Sequence, residues 1–597
     1  MKPKNLAILG LLSCLSLVAH ASSKQPNIIL MMADDLGWRD LGCYGSELYQ
    51  TPNLDALAER GVRFSNAYSA SPLCSPTRAS VLTGQTPGRI HITQPAGHLK
   101  KVLLDPIVPK TARAGIPMTE PQSRTRLPLD SVTISQVLKD AGYRTGFMGK
   151  WHLGFDPYIP ESFGFDVVVG GRGFPGPPPP GYFGPWDPER TNMPLVKGRV
   201  HADDVLADQA IAFLKESHGK DEPFFLALWY FDVHAPYVGK EDLIEKYRPL
   251  AAKTKYQKSA IMGAMVETLD DNVGKVLDKL EELGMAEDTL VIFTSDNGGN
   301  MYDRPEGQNP TNNHPLRAGK GNNHEGGTRV PLIVSWPGKV AQNKQSDTIA
   351  ISYDFFPTLL EVAGIDPDSD LLLDGVSLTS SFDGSTVNRP PIYSMFGRMT
   401  LATGNYSNIW ARDGKWKLFK YFNIGPDAAD KYALYDLEAD PGESNDVSLH
   451  FPEVMDRLKT FINRRIKEDG ILVPTANPNY DPDMQLKGWS IVDGGYIFGG
   501  PTSPVVNILS EGGPVTMHYE LSAKARKAGV LVFSVTTNCA ISVVAGEGDS
   551  PIYGSPQAIV PDMKKQPLTI PLPKDGKAGQ LTLVFELEQP GRLFIYP

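Results

Sequence analysis

Five short, almost uninterrupted apolar runs constrain this fold more than any other feature: Asn27–Met32, Thr145–Gly149, Phe224–Phe231, Leu290–Ser295 and Pro331–Trp336. Apolar runs of this length without alternation suit strands buried on both faces, as in a parallel sheet. Helical patterns lie between them. The clearest is Ile261–Leu283, where Ile261, Met265, Leu269, Val273, Leu277 and Leu280 share one face and Gly284 comes next as a stop. Alternating strands and helices predict an α/β domain over residues 25–388, with a mixed, mainly parallel sheet flanked by helices.

A chain of 597 residues is too long for one core. From 389 to 472 the pattern changes. Ile409–Asp413, Trp416–Tyr421 and Ala433–Leu437 read as short antiparallel strands, and Val454–Glu468 as a closing helix, giving a small C-terminal antiparallel-sheet subdomain. The Pro/Asn-rich stretch Val473–Pro482 reads as a linker, and the strand patterns beyond it, through 597, as an appended all-β sandwich. Two aperiodic stretches, 95–130 and 171–194, interrupt the α/β pattern. Tyr182, Phe183 and Trp186 favour packed, site-forming loops over linkers.

The N-terminus reads as a secretory signal over residues 1–21. Lys2 and Lys4 precede the apolar run Leu6–Val18, and Ala19-His20-Ala21 supplies small residues for cleavage after Ala21. The run is too short to span a bilayer, and a periplasmic or secreted location is expected. Lipoprotein processing at Cys14 is the minor alternative. Cleavage leaves Cys43, Cys74 and Cys539, an odd and scattered set that forms no disulfide framework. The net charge of −10 gives no support to nucleic-acid binding. An anionic substrate would need local positive charge.

The chemistry is legible at the end of each strand. The first run leads into Asp34-Asp35, the second into Lys150-Trp151-His152, the third into His234 and the fourth into Asp296-Asn297. Ligands in open α/β sheets bind beyond the carboxyl ends of the strands. An Asp after a strand is also an ordinary helix cap, but four such ends together point to one site. Asp34, Asp35, Asp296 and Asn297 offer only oxygen donors, a set suited to Ca2+, or less well Mg2+, rather than zinc. Lys150, Lys320 and Arg78 add the local positive charge that the acidic composition lacks.

The run CSPTRASVLTG (Cys74–Gly84) resembles the signature of the type I sulfatases, members of the alkaline phosphatase superfamily. NIILMMADDLGW (Asn27–Trp38), GKWHLG (Gly149–Gly154), FTSDNGG (Phe293–Gly299) and GKGNNHEGGTRVP (Gly319–Pro331) resemble further blocks of that family, in family order, from about Asn27 to Glu468. The resemblance implies an alkaline phosphatase-like fold and conversion of Cys74 to formylglycine by a separate maturation enzyme before or during export. It implies metal ligation by Asp34, Asp35, Asp296, Asn297 and residue 74 itself. Arg78 and Lys150 would hold the aldehyde hydrate, and His152 would take its remaining hydroxyl proton. His234 and Lys320 would bind sulfate oxygens and protonate the leaving alcohol.

Phosphonate hydrolases of the superfamily resemble an Asp-His pair where this chain has Asp296-Asn297, so Asn297 favours sulfate. An arylsulfatase, a phosphonate or phosphate monoester hydrolase, or an inactive glycan-binding protein are the rival readings. The carbohydrate-sulfatase-like blocks favour a sulfated poly- or oligosaccharide attacked from its ends. His98, Arg172 and His314, in or beside long inserts, are the candidates for sugar contact. His324, before Glu-Gly-Gly, departs from the family pattern and either faces substrate or packs.

Overall fold

The computed structural model describes residues 25–480 except 113–117, 304, 401–402 and 425–428, and beyond 480 the strands between 489 and 596. The signal segment with Cys14, and Cys539, lie outside the described residues. Eight strands form the main sheet: β1 (Asn27–Ala33), β2 (Val62–Tyr68), β3 (Arg144–Gly149), β4 (Val167–Gly170), β5 (Phe224–Trp229), β6 (Thr289–Ser295), β7 (Leu332–Ser335) and β8 (Lys344–Ile351). Their spatial order is β4-β3-β5-β1-β6-β7-β2-β8.

Both faces of this sheet are covered. Ile29 and Met31 of β1 join one apolar core, whereas Ile28, Leu30 and Met32 join the other. The same split divides Leu226 and Leu228 from Phe225, Ala227 and Trp229 on β5. Strands so buried need no polar face, which is why their sequences are continuous apolar runs. The long helix predicted over Ile261–Leu283 spans Ala260–Glu282 and buries Met265, Leu269, Val273, Leu277 and Leu280.

One expectation is corrected. The run Pro331–Trp336 suits a parallel strand, but β7 pairs antiparallel with both β6 and β2. The reason lies in the preceding loop. Gly319–Pro331 brings Lys320 to the rim at the carboxyl end of β6, so the chain enters β7 from that rim and must run back.

The second sheet comprises Ile392–Phe396, Asn408–Asp413, Trp416–Tyr421 and Lys431–Asp436, antiparallel in chain order. Helix Pro452–Glu468 packs on it through Leu458 and Ile462. Between 489 and 596 the described strands form two five-stranded antiparallel sheets.

Candidate active site

Four strand ends and one helix converge at the carboxyl rim. β1 turns sharply at Asp35 and β3 delivers His152, both in the left-handed region at φ 65° and 56°. Non-glycine residues held there are strained, and such residues gather at functional sites. The polypeptide after β2 enters helix Cys74–Thr83, all ten residues of which are buried. Leu73 caps this helix in extended geometry, Pro76 falls in the first turn where its missing N–H is harmless, and Gly84 at φ 67° ends it. Cys74 therefore sits at the positive end of a helix dipole.

Side chains there form alternating acid–base contacts. Arg78 donates through Nε and Nη2 to Asp296 Oδ2 at 2.8 and 2.7 Å, and through Nη1 to the Lys150 carbonyl at 2.6 Å. Its guanidinium also lies 5.3 Å from the centre of the Trp229 ring. Lys150 Nζ donates to Asp34 Oδ2, and Lys320 Nζ to Asp35 Oδ2, each at 2.6 Å. Asn297 Nδ2 donates to Asp35 Oδ1 at 2.9 Å, and Asp35 N to Asp296 Oδ1 at 3.2 Å. His234 Nε2 lies 3.8 Å from Asp35 Oδ2. Cys74 Sγ lies 3.3 Å from His152 Nδ1, and Ser75 Oγ donates to the His152 carbonyl at 2.7 Å.

Three carboxylates thus face three permanent cations. Burial pushes the Asp34 carboxyl well above its usual range, with Lys150 opposing the shift and Asp296 and Asp35 adding to it. Asp35 feels the same burial, yet Lys320 and His234 hold it low. Burial, then Lys150, pulls His152 well below the ordinary imidazole value. Burial, then Lys320 and Lys150, does the same to His234. Burial raises the Cys74 thiol, which is therefore a poor nucleophile as it stands.

The donor set fits a hard divalent ion. Asp34 Oδ1 and Asn297 Oδ1 are buried without a hydrogen-bond partner, and such oxygens are costly unless something ligates them. Ligand atoms of Asp34, Asp35 and His234 lie within 4.8 Å of one another, and Asp296 and Asn297 join them through Asp35. Oxygen donors dominate, as calcium and magnesium require.

The Sulfatase family profile matches residues 26–365, and that of N-sulphoglucosamine sulphohydrolase, C-terminal, matches 319–468. The chain belongs to the sulfatase family. This sulfatase is a sulfuric ester hydrolase, and its family binds a divalent metal. It is 34% identical over 438 residues to N-acetylgalactosamine-6-sulfatase of Rattus norvegicus, covering 69% of this chain and 77% of that protein. It is 32% identical over 484 residues to arylsulfatase A of Homo sapiens, covering 74% and 87%. Among solved structures, Ps i-CgsB in complex with k-i-k-neocarrahexaose superposes with a TM-score of 0.60 at 30% identity, over 74% of this chain and 92% of that one.

Within this sulfatase the structure brings together Asp34, Asp35, Cys74, Arg78, Lys150, His152, His234, Asp296, Asn297 and Lys320. The three sugar-contact candidates fare differently. His98 Nδ1 lies 2.9 Å from His152 Nε2, so it touches a member of the cluster. Arg172 places its carbonyl 3.4 Å from the His152 N–H, but its guanidinium turns to Glu161 at 3.3 Å. His314 is exposed and stacks on Tyr256 at 4.1 Å, making no polar contact with the cluster. His324 packs: it is buried 4.8 Å from Phe419, with Nδ1 3.0 Å from Glu443. Sequence reasoning missed Ser75 and Trp229. Ser75 was visible as the neighbour of Cys74, whereas nothing in the run Phe224–Phe231 marks Trp229 as the aromatic beneath Arg78.

Proposed function

We propose that this sulfatase removes O-sulfate from a sulfated carbohydrate, using a formylglycine nucleophile made from Cys74 and one calcium ion. The observation that carries this reading is the placement of Cys74: first residue of a wholly buried helix, 3.3 Å from His152 Nδ1 and surrounded by the acid–base cluster. A thiol pushed up by burial has no evident use there. A hydrated aldehyde does, because one hydroxyl attacks sulfur and the other later collapses to release sulfate.

Asp34, Asp35, Asp296, Asn297 and an oxygen of residue 74 would hold calcium, which supplies positive charge to the transferring sulfo group when bound. Arg78 and Lys150 orient the hydrate and balance charge developing on it. His152 Nδ1 faces residue 74 and accepts the remaining hydroxyl proton. His234 and Lys320, both beside Asp35, bind sulfate oxygens and give a proton to the leaving alcohol.

The carbohydrate substrate is supported by the relatives: the rat protein is named for N-acetylgalactosamine 6-sulfate, and the superposed structure was solved with a neocarrahexaose. Cys74 is 2% exposed, so the sulfate must enter a recess, which favours action at chain ends. Entry to the periplasm or exterior through the 1–21 signal, and conversion of Cys74 by a maturation enzyme, complete the proposal.

Mass spectrometry of the residue 74 peptide, combined with sulfate release from defined sulfated mono- and disaccharides, tests it. Active wild type should carry the aldehyde, and Cys74→Ala should release no sulfate. Full turnover with an intact thiol refutes the nucleophile. Undiminished turnover after chelation refutes the metal. Turnover confined to aryl sulfates refutes the sugar.

A further inference from the structure

His98 sits on the far side of His152 from the nucleophile. Its Nδ1 lies 2.9 Å from His152 Nε2, with the two ring centres 5.2 Å apart. The segment carrying it is pressed against His152: a Cβ placed on Gly97 would lie 2.0 Å from the His152 carbonyl oxygen. Leu99 N–H donates to the Ala96 carbonyl at 3.0 Å, and buried Arg126 donates to the carbonyls of Ala96 and Leu99. His152 itself is held from both sides of its backbone, through Ser75 on its carbonyl and the Arg172 carbonyl facing its N–H.

A neutral imidazole has one N–H, and the partner on one nitrogen decides the role left to the other. If His152 carries its proton on Nε2, it donates to His98 Nδ1 and turns a lone pair on Nδ1 toward residue 74. The opposite tautomer would present an N–H to residue 74 and could accept nothing. His98 is half-buried, and none of the described residues hydrogen-bonds its Nε2. Its own proton can therefore reside on that outer nitrogen, leaving Nδ1 free to accept.

We propose that His98 is a positioning residue that fixes the Nε2–H tautomer of His152, rather than a sugar contact. The inference rests on the proposed formylglycine reading. Collapse of the sulfated hydrate breaks the O–H bond of its remaining hydroxyl. The proton passes to His152 Nδ1, the O–H electron pair forms the carbonyl, and the bond from carbon to the sulfate oxygen breaks, with sulfate leaving on the electron pair of that C–O bond. The imidazolium so formed keeps its Nε2–H on His98, a charge-assisted hydrogen bond stronger than the one before it. It returns its proton to water before the next cycle.

The test uses full-length enzyme with conversion of residue 74 verified by mass spectrometry, and 4-methylumbelliferyl sulfate, which has no sugar to contact. His98→Ala should lower kcat by about 10²-fold, with KM within about twofold. The sulfo-enzyme should accumulate on rapid quenching. His98→Asn places a carbonyl oxygen near the site of Nδ1 and should recover at least about tenfold of the loss. Unchanged kcat on the aryl sulfate, with KM raised only for a sulfated sugar, overturns the proposal in favour of sugar contact. Equal losses in both variants, accompanied by lower melting temperatures, overturn it in favour of simple packing. Histidine 15N spectra, assigned with His152→Ala, read the tautomer without turnover, and a proton on His152 Nδ1 overturns the proposal. Wild-type enzyme that carries the aldehyde yet releases no sulfate refutes the functional reading instead, while those spectra still decide the role of His98.

Discussion

Replacing Lys417 by Met should destabilise this protein by about 3–5 kcal/mol, because it strips the cation from a fully buried ionic network. Lys417 Nζ lies 2.8 Å from Glu325 Oε1, 3.1 Å from Glu443 Oε1 and 2.9 Å from the Asn323 carbonyl. All three ionic side chains are wholly buried. Glu325 N–H donates to Glu443 Oε2 at 2.7 Å, so the variant leaves two adjacent carboxylates with Arg329, 3.5 Å from Glu325, as the remaining cationic partner. Burial opposes ionisation of Glu443, but Lys417 holds its carboxyl down to about 2. The network joins the second sheet to the loop that carries Lys320, so sulfate release should fall along with stability. Urea unfolding monitored by tryptophan fluorescence is the assay, and Trp410, 4.9 Å from Nζ, is a local reporter. The double variant Lys417→Met/Glu443→Gln should recover part of the loss, since one of the stranded charges is gone. A loss below about 1 kcal/mol, the worth of an exposed pair, would refute the reasoning.

Burial pushes the Asp40 carboxyl up to about 6 from 3.8. A raised folded-state value means its contribution is complete below pH ~4 and is lost as pH rises through ~6, on the order of 3 kcal/mol in all. Asp40→Asn should flatten that part of the stability–pH curve; an unchanged slope in chemical denaturation refutes the assignment. Chelation should abolish sulfate release and lower the melting temperature, with calcium restoring both, because Asp34 Oδ1 and Asn297 Oδ1 are buried with no hydrogen-bond partner. Gly97→Ala should cut kcat at least about tenfold, since its Cβ would lie 2.0 Å from the His152 carbonyl oxygen. Retained activity would show that the segment yields.

Much of the main sheet and the ionisable residues of the central cluster were legible in the sequence, for one physical reason. A strand buried on both faces must be apolar throughout, so the polar residues that end it stand out. Asp34, Lys150, His234 and Asp296 are conspicuous against such runs. Strands lacking that contrast were not legible. β8 begins Lys344-Gln345 at the sheet edge with both residues exposed, and β4 has only four residues. The direction of β7 was hidden because an apolar run carries no polarity of its own; the route of the Lys320 loop decides it. His98 stands out in the sequence as a site candidate, but its neighbour there does not, since the fold of the 95–130 insert has no period to read. His324 shows the converse: its position in the sequence leaves substrate contact and packing both open, and Phe419 and Glu443, about a hundred residues downstream, claim it.

Helix Cys74–Thr83 has no solvent-facing side, and this sets a deadline. Any protein that alters the sulfur chemically must reach it while the chain is still open, because after docking there is no path for a second macromolecule. On the proposed formylglycine reading, each molecule's competence is thereby settled at birth. On that reading, a batch made without timely processing would stay a frozen blend of live and dead copies, and no later incubation would rescue the latter short of unfolding them.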